Sequence, residues 1–434
     1  MKNFGLIYHY EIKKIAKGKL FKILFALILV LTLMINLYTI IDYSVGKNGA
    51  DQTVKNKYGL EETDYSALFK GIDIRYVDDF GEIVEEKVDP LKYIRMQRSF
   101  AMKWSGKPLD DAAITSMKQF FEKYDYVDET RTSYGHSFQN INWIFRMIAR
   151  MGLNPTAERT NAQTIKEWMD GQWLSLYEDE QLSAEEIAFW NEHEAVTHPL
   201  TISYMPAYRQ IISYSQWIHV LLLFFIIVVL CDTCCADRIR KTRRLVQTTD
   251  KGAGKLIVAR LCAGVTVAIV TGIVLYAVTI GIQFAILGAD GFDSPVQLID
   301  GLVWSRLHLS SGEAMLLMCA TSILLTVMMA AVTMLFSELF QSPVAALAVP
   351  SVFLICTLLF NKSFFNEDRV AAQLWQYFPL QRVRVEMLFD ERLIPFGKGY
   401  ARAIPFSIGV YLCVAVIALL LCGGISYFRR FDKK

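Results

Sequence analysis

The chain has 434 residues, 53% of them hydrophobic and 20% charged, with a formal net charge of +2. So apolar a composition excludes an ordinary soluble domain, and the near-zero balance excludes the strongly basic surface of a nucleic-acid binder. The balance conceals a separation: residues 43–213 carry 19 Lys/Arg against 27 Asp/Glu, net −8, which leaves +10 on the segments around them.

The first predicted element is a basic amphipathic helix within residues 1–22. Phe4, Tyr8, Ile12 and Ile15 recur on one side, with Lys13, Lys14 and Lys17 elsewhere. A helix of this kind lies in the membrane surface. A first apolar run, Ile23 to Ile41, follows and fills residues 23–42 as a transmembrane helix. It is too long for a signal-peptide core and is followed by no small-residue cleavage pattern, so it reads as a retained anchor. Residues 43–213 form an acidic domain, expected to be mostly helical with little sheet. Ile114, Met117, Phe121 and Tyr124 share one helical face after Pro108-Leu109-Asp110. Ile165, Trp168, Met169 and Leu176 share another, and Ser183 to Glu186 reads as a capping box. Ile72, Ile74 and Tyr76 alternate like a strand, with a turn at Asp78 to Gly81.

Five further apolar runs occupy residues 214–434: Trp217 to Leu230, with a polar-aromatic lead-in from Ile211; Leu256 to Leu287; Ala314 to Phe336; Val344 to Phe360; and Ile404 to Tyr427. Each approaches the roughly 20 residues that cross a bilayer. The expected fold class is therefore an all-α polytopic membrane protein with six transmembrane helices and a mostly helical extracellular domain. Lys and Arg cluster in the N-terminal segment, in the connection 233–255 and after Tyr427, so both termini and that connection are expected on the cytoplasmic side of the cell membrane. The outer loop 361–403 breaks this pattern with seven basic residues, and around Leu374 to Leu380 it is apolar enough to dip into the membrane. On the third span Ala277, Gly281 and Ala285 recur every fourth residue, a spacing that lets helices approach closely. Pro343 and Pro350 mark the start and an early kink of the fifth span.

All eight cysteines, Cys231, Cys234, Cys235, Cys262, Cys319, Cys356, Cys413 and Cys422, lie in or beside apolar runs and none in the acidic domain. That domain is expected to stand without disulfides. Gly252-Ala253-Gly254-Lys255-Leu256 is the nearest approach to a phosphate-binding loop, but lacks the first glycine and the magnesium-holding hydroxyl. The chain is thus expected to be no enzyme and to bind no ATP itself. His193 and His198, with Glu192 and Glu194, lack the spacing of a helical metal site, so no metal is expected. The spans are almost free of carboxylates and histidines, with Asp232, Arg260, Glu338 and Glu313 near their ends. That disfavours an ion-driven carrier.

In the connection after the second span, Ile239, Thr242, Leu245 and Val246 keep helical spacing among Arg238, Arg240, Lys241, Arg243 and Arg244, preceded by Asp237. Such a helix is suited to docking in a groove of another protein. It is followed by the turn Thr248-Thr249…Gly252…Gly254-Lys255 into the third span. With the basic surface helix and the domain between spans one and two, this order resembles the permease subunit of type 2 ABC exporters, in the subgroup with a large extracellular insertion. The resemblance implies a pair of permease chains, identical or not. It also implies a separate ATPase subunit that binds ATP and Mg, and coupling through the helix from Asp237 to Val246, including Arg238, Ile239, Arg240, Arg243, Arg244 and Leu245. It implies short re-entrant helices within 361–403. The cargo would be a peptide, drug, lipid or ion. A membrane-anchored sensor whose outer domain binds a ligand is the alternative.

Overall fold

The computed structural model describes residues 2–41, 53–55, 61–63, 72–77, 83–102, 105–108, 110–115, 163, 166–167, 184–192, 201, 203–235, 254–299, 302, 305, 307–340, 342–359, 375, 377–384, 388–389, 393–396 and 399–429. It is an α-helical polytopic protein. Helix α1 (Lys2–Lys17) is followed after Gly18 by α2 (Lys19–Ile41). The long helices α5 (Pro206–Leu230), α6 (Lys255–Leu287), α7 (Ser311–Phe340) and α9 (Ala403–Phe428) complete a set of five candidate membrane spans. Helix α8 (Pro343–Leu359) is apolar but has 17 residues. At 1.5 Å per residue it is about 26 Å long, short of the roughly 30 Å hydrocarbon core. Pro343 opens it and Pro350 lies inside it.

The second span is longer than its apolar run. The polar-aromatic lead-in belongs to α5 from Pro206 onward, because Tyr208, Gln210 and Ser215 are buried against the protein. α6 has 33 residues, about 50 Å, and so exceeds a bilayer's thickness. Contacts fix the directions of the helices. Ile40, Ala207 and Leu287 share one apolar cluster, so the end of α2, the start of α5 and the end of α6 meet at one pole. Cys234 and Cys235, just after α5, meet Ser337 near the end of α7 at the opposite pole, where Arg429 also reaches Glu338. α2 and α6 therefore run one way and α5, α7 and α9 the other. α7 is central and packs on α5, α6, α8 and α9, whereas α2 and α9 leave much of their surface outward. Close approach is made by two glycines of α6: a Cβ at Gly264 would sit 2.5 Å from the Met334 sulfur, and one at Gly272 would sit 3.1 Å from Ile323. Where apolar helices meet in lipid, such packing replaces the hydrophobic effect as the source of cohesion.

Within residues 43–205 the described structure includes two antiparallel hairpins, β1–β2 (Thr53–Lys55 with Glu61–Thr63) and β3–β4 (Ile72–Val77 with Ile83–Val88). It also includes the helices α3 (Pro90–Met102) and α4 (Ala184–Glu192). The alternating stretch at Ile72 is thus a strand, paired across its predicted turn. Asp89 caps α3 by accepting the Leu91 and Lys92 amides. Asp110 accepts the Ala113 amide in the same way, ahead of the buried Ile114. The remaining helical patterns around Phe121 and Trp168, the Ser183 cap, and His193 and His198 lie outside the described residues. α3 docks on the bundle: Ile94 enters the cluster with Ile40, Ala207 and Leu287, and Arg98 pairs with Asp290 at 2.7 Å.

The connection between α6 and α7 is a compact cap at this pole. Val296, Leu298, Ile299 and Leu302 are buried, and Gln297 donates to the Ser305 and Leu307 carbonyls at 2.7 and 3.2 Å. Gly291 turns the chain at φ +94°, where a Cβ would meet Met205 and the Tyr204 carbonyl at 2.7 Å. Ser310 and Glu313 then form a reciprocal capping box for α7.

Candidate functional site at the basic end of the bundle

The opposite pole carries the lysines of α1 and α2, Lys255 and Arg429. α1 turns at Gly18 and runs back along the base of α6, since Glu11 meets Arg260 while the earlier Tyr8 meets the later Thr266. Tyr8 and Thr266 share a hydrogen bond of 2.7 Å, and the Glu11 carboxylate lies 3.5 Å from both Arg260 and Lys14. Glu11 and Arg260 are both buried. Phe4, Tyr8, Ile12 and Ile15 are half-buried, and Lys13 and Lys17 are exposed. The apolar side predicted to enter the bilayer is thus at least partly turned onto α6. Leu6 and Tyr10, which the periodicity left out, are exposed.

The connection predicted to couple to an ATPase, Asp237, Arg238, Ile239, Arg240, Arg243, Arg244 and Leu245, lies outside the described residues. Its two stems are described. On the α5 side, the Cys234 and Cys235 amides donate to the Ser337 hydroxyl at 3.2 and 3.3 Å. On the α6 side, Arg260 is held by Glu11. The end of α7 is tied in turn to the last helix: Arg429 pairs with the Glu338 carboxylate at 3.6 Å and donates to the Glu338 and Leu339 carbonyls. Charges at span ends that looked merely terminal in the sequence, Arg260 and Glu338, are therefore two members of a buried ionic tier.

Ala277, Gly281 and Ala285 are exposed, and none of the described residues would lie within 4 Å of a Cβ at Gly281. The glycine packing inside the chain runs along another face of α6, at Gly264 and Gly272.

Two interior features escaped the sequence reading, and a third was read only as an apolar stretch. An amide network joins α2 to α6: Gln283 donates to the Asn36 carbonyl oxygen at 3.0 Å and the Thr39 hydroxyl at 2.7 Å. Asn36 in turn donates to the Thr32 carbonyl at 2.8 Å and the Thr279 hydroxyl at 3.3 Å. His219 of α5 is wholly buried beside the Pro379 backbone. It is the exception to spans otherwise poor in histidine. Residues 377–384 form turns packed into the bundle, with Leu380 and Val383 in a cluster with Leu223, Leu354 and Tyr411. Gln381 donates to the Thr357 carbonyl, Tyr411 to the Tyr377 carbonyl at 2.9 Å, and the buried Arg382 guanidinium lies 5.7 Å from the Tyr377 ring centre. The sequence signal was present in the apolar run at Leu374 to Leu380. A hairpin, β5–β6 (Leu393–Phe396 with Gly399–Arg402), then leads into α9.

No group of three or more metal-ligating side chains occurs among the described residues. No protein-family model matches the chain, and no curated protein matches it.

Proposed function

We propose that this chain is the membrane-embedded permease subunit of an ATP-powered exporter, energised by a separate ATPase subunit that binds ATP and Mg. The observation that carries the reading is the anchoring of both stems of the 236–253 connection. One stem is fastened to α7, and through it to α9. The other is fastened to α1. A force applied to that connection is passed from its stems, α5 and α6, to α7, α9 and α1. α8 is read as the remaining span, the basic pole as the cytoplasmic side of the cell membrane, and residues 43–205 as extracellular. The packed turns at 377–384 fit the re-entrant segment expected between the last spans. A second permease copy, the same or similar, completes the translocation path. The outward small-residue face of α6 is open to such a neighbour.

The test is affinity purification of the solubilised chain, with mass spectrometry and ATPase measurement of what accompanies it. A stoichiometric nucleotide-binding subunit is the expected result. Recovery without any ATPase, under conditions that keep other membrane complexes intact, refutes the proposal and favours ligand sensing by the outer domain. In the purified complex, Arg240→Glu with Arg243→Glu is expected to lower ATP turnover by at least tenfold while insertion is unchanged. Normal turnover would remove the docking role from this helix.

A further inference from the structure

The eight cysteines are all free thiols. Two of them, 188 residues apart in sequence, meet at the basic pole: the sulfurs of Cys234 and Cys422 are 3.9 Å apart. Cys234 follows α5, at the stem of the 236–253 connection, and Cys422 lies near the end of α9. Cys422 also directs its thiol to the Met334 carbonyl at 3.5 Å, as Cys231 and Cys235 direct theirs to carbonyls of α5 and the turn after it, while Cys262 and Cys413 are exposed.

A disulfide has an S–S length near 2.0 Å, so each sulfur need move only about 1 Å. We infer that Cys234 and Cys422 form a reversible disulfide on exposure to a peroxide, stapling the stem of the connection to the last helix. Cys234 is the less buried residue of the two, so the step starts from Cys234. Its thiolate attacks one peroxide oxygen, the O–O bond breaks, hydroxide leaves, and Cys234 becomes a sulfenic acid. The Cys422 thiol attacks that sulfur, the S–O bond breaks, and water leaves. Two electrons pass from the sulfurs to the peroxide and one S–S bond forms. The hydrogen bond with Cys422, and then burial, raise the Cys234 thiol well above its usual range. The reaction is therefore slow at neutral pH and gains about tenfold per pH unit as the thiolate fraction grows. Below its pKa the site resists casual oxidation and answers to strong oxidant.

The bond would cross from the α5 stem to α9 beside the existing Ser337 and Arg429 ties. It restrains the stem whatever docks on the connection, so the inference stands apart from the exporter proposal. The test uses the full chain in its membranes, treated with hydrogen peroxide, denatured, and counted with a maleimide polymer. Modification is expected to fall from eight additions to six and to return to eight after dithiothreitol. A peptide joining Cys234 to Cys422 should appear in mass spectra of the wild type. In Cys422→Ser, Cys234 should instead accumulate as sulfenic acid trapped by dimedone. Joining of Cys234 to any other cysteine, or a wild-type sulfenic acid with no bond to Cys422, overturns the inference. Because the wild-type peptide map decides, a variant that fails to fold does not rescue it.

Discussion

Where α5 begins and α6 ends, the bundle is closed mainly by apolar side chains and backbone turns, with one more-exposed ion pair, Arg98 with Asp290: Val296, Leu298, Ile299 and Leu302 are buried under a chain folded at Gly291. At the other pole the closures are ionic and thiol contacts, Glu11 with Arg260, Glu338 with Arg429 and Cys234 beside Cys422. The difference lies in how each fails. A packed cap has one good arrangement, and a small volume change is felt throughout it. Ion pairs and thiols have alternative partners, so that pole can be rearranged without being unfolded. A moving part belongs at the second pole and a fixed floor at the first.

The largest expected effect falls on the cap. Gly291→Ala places a methyl group 2.7 Å from Met205 and the Tyr204 carbonyl, at a φ that side chains avoid. A loss of about 4 kcal/mol is expected from strain and overpacking together, read as the unfolding midpoint of the purified protein. Unchanged stability would show the cap to be as adaptable as the ionic pole. Next comes Glu11→Ala, which leaves Arg260 buried without its carboxylate and is expected to cost about 3 kcal/mol. Glu11→Leu combined with Arg260→Leu should restore most of that loss, because a well-packed apolar pair replaces a buried ion pair at little cost. If the double variant is no better than the single, the pair does more than hold α1 to α6. The smallest effect is expected between the poles: Gln283→Leu breaks the amide link from α6 to α2 and should cost about 1 kcal/mol. A loss several times greater would move the main fastening of α2 from packing to hydrogen bonding.

Much of this was legible in the sequence, and the gaps have physical reasons. Apolar runs near 20 residues located the long helices because lipid tolerates little else, and alternation at Ile72 found a strand. The start of α5 was obscured by Tyr208, Gln210 and Ser215, polar residues that face protein rather than lipid. Periodicity in α1 identified which residues share a side but not what covers that side, and the cover includes α6. Glu11 could not be singled out, since one carboxylate among lysines looks like a surface charge until Arg260 is seen beside it. The spans are poor in carboxylates and histidines, which directed attention away from Asn36, Gln283 and His219. Asn36 and Gln283 matter because helices distant in sequence bring them together.

Ile40, at the end of α2, and Ala207, at the start of α5, lie in one small apolar cluster. The polypeptide therefore leaves the bundle and comes back to it through a single doorway. Of what lies between, α3 is held at that doorway by Ile94 and by the Arg98–Asp290 pair, and the points of exit and return are set by the spans themselves. Such an insertion can lengthen, shrink or be exchanged without reordering a single helix, as insertions do at closely spaced boundaries. What the molecule presents beyond the bundle can thus change on a different evolutionary clock from the machinery beneath it, and the same doorway offers an engineer a site for grafting a new head onto an old body.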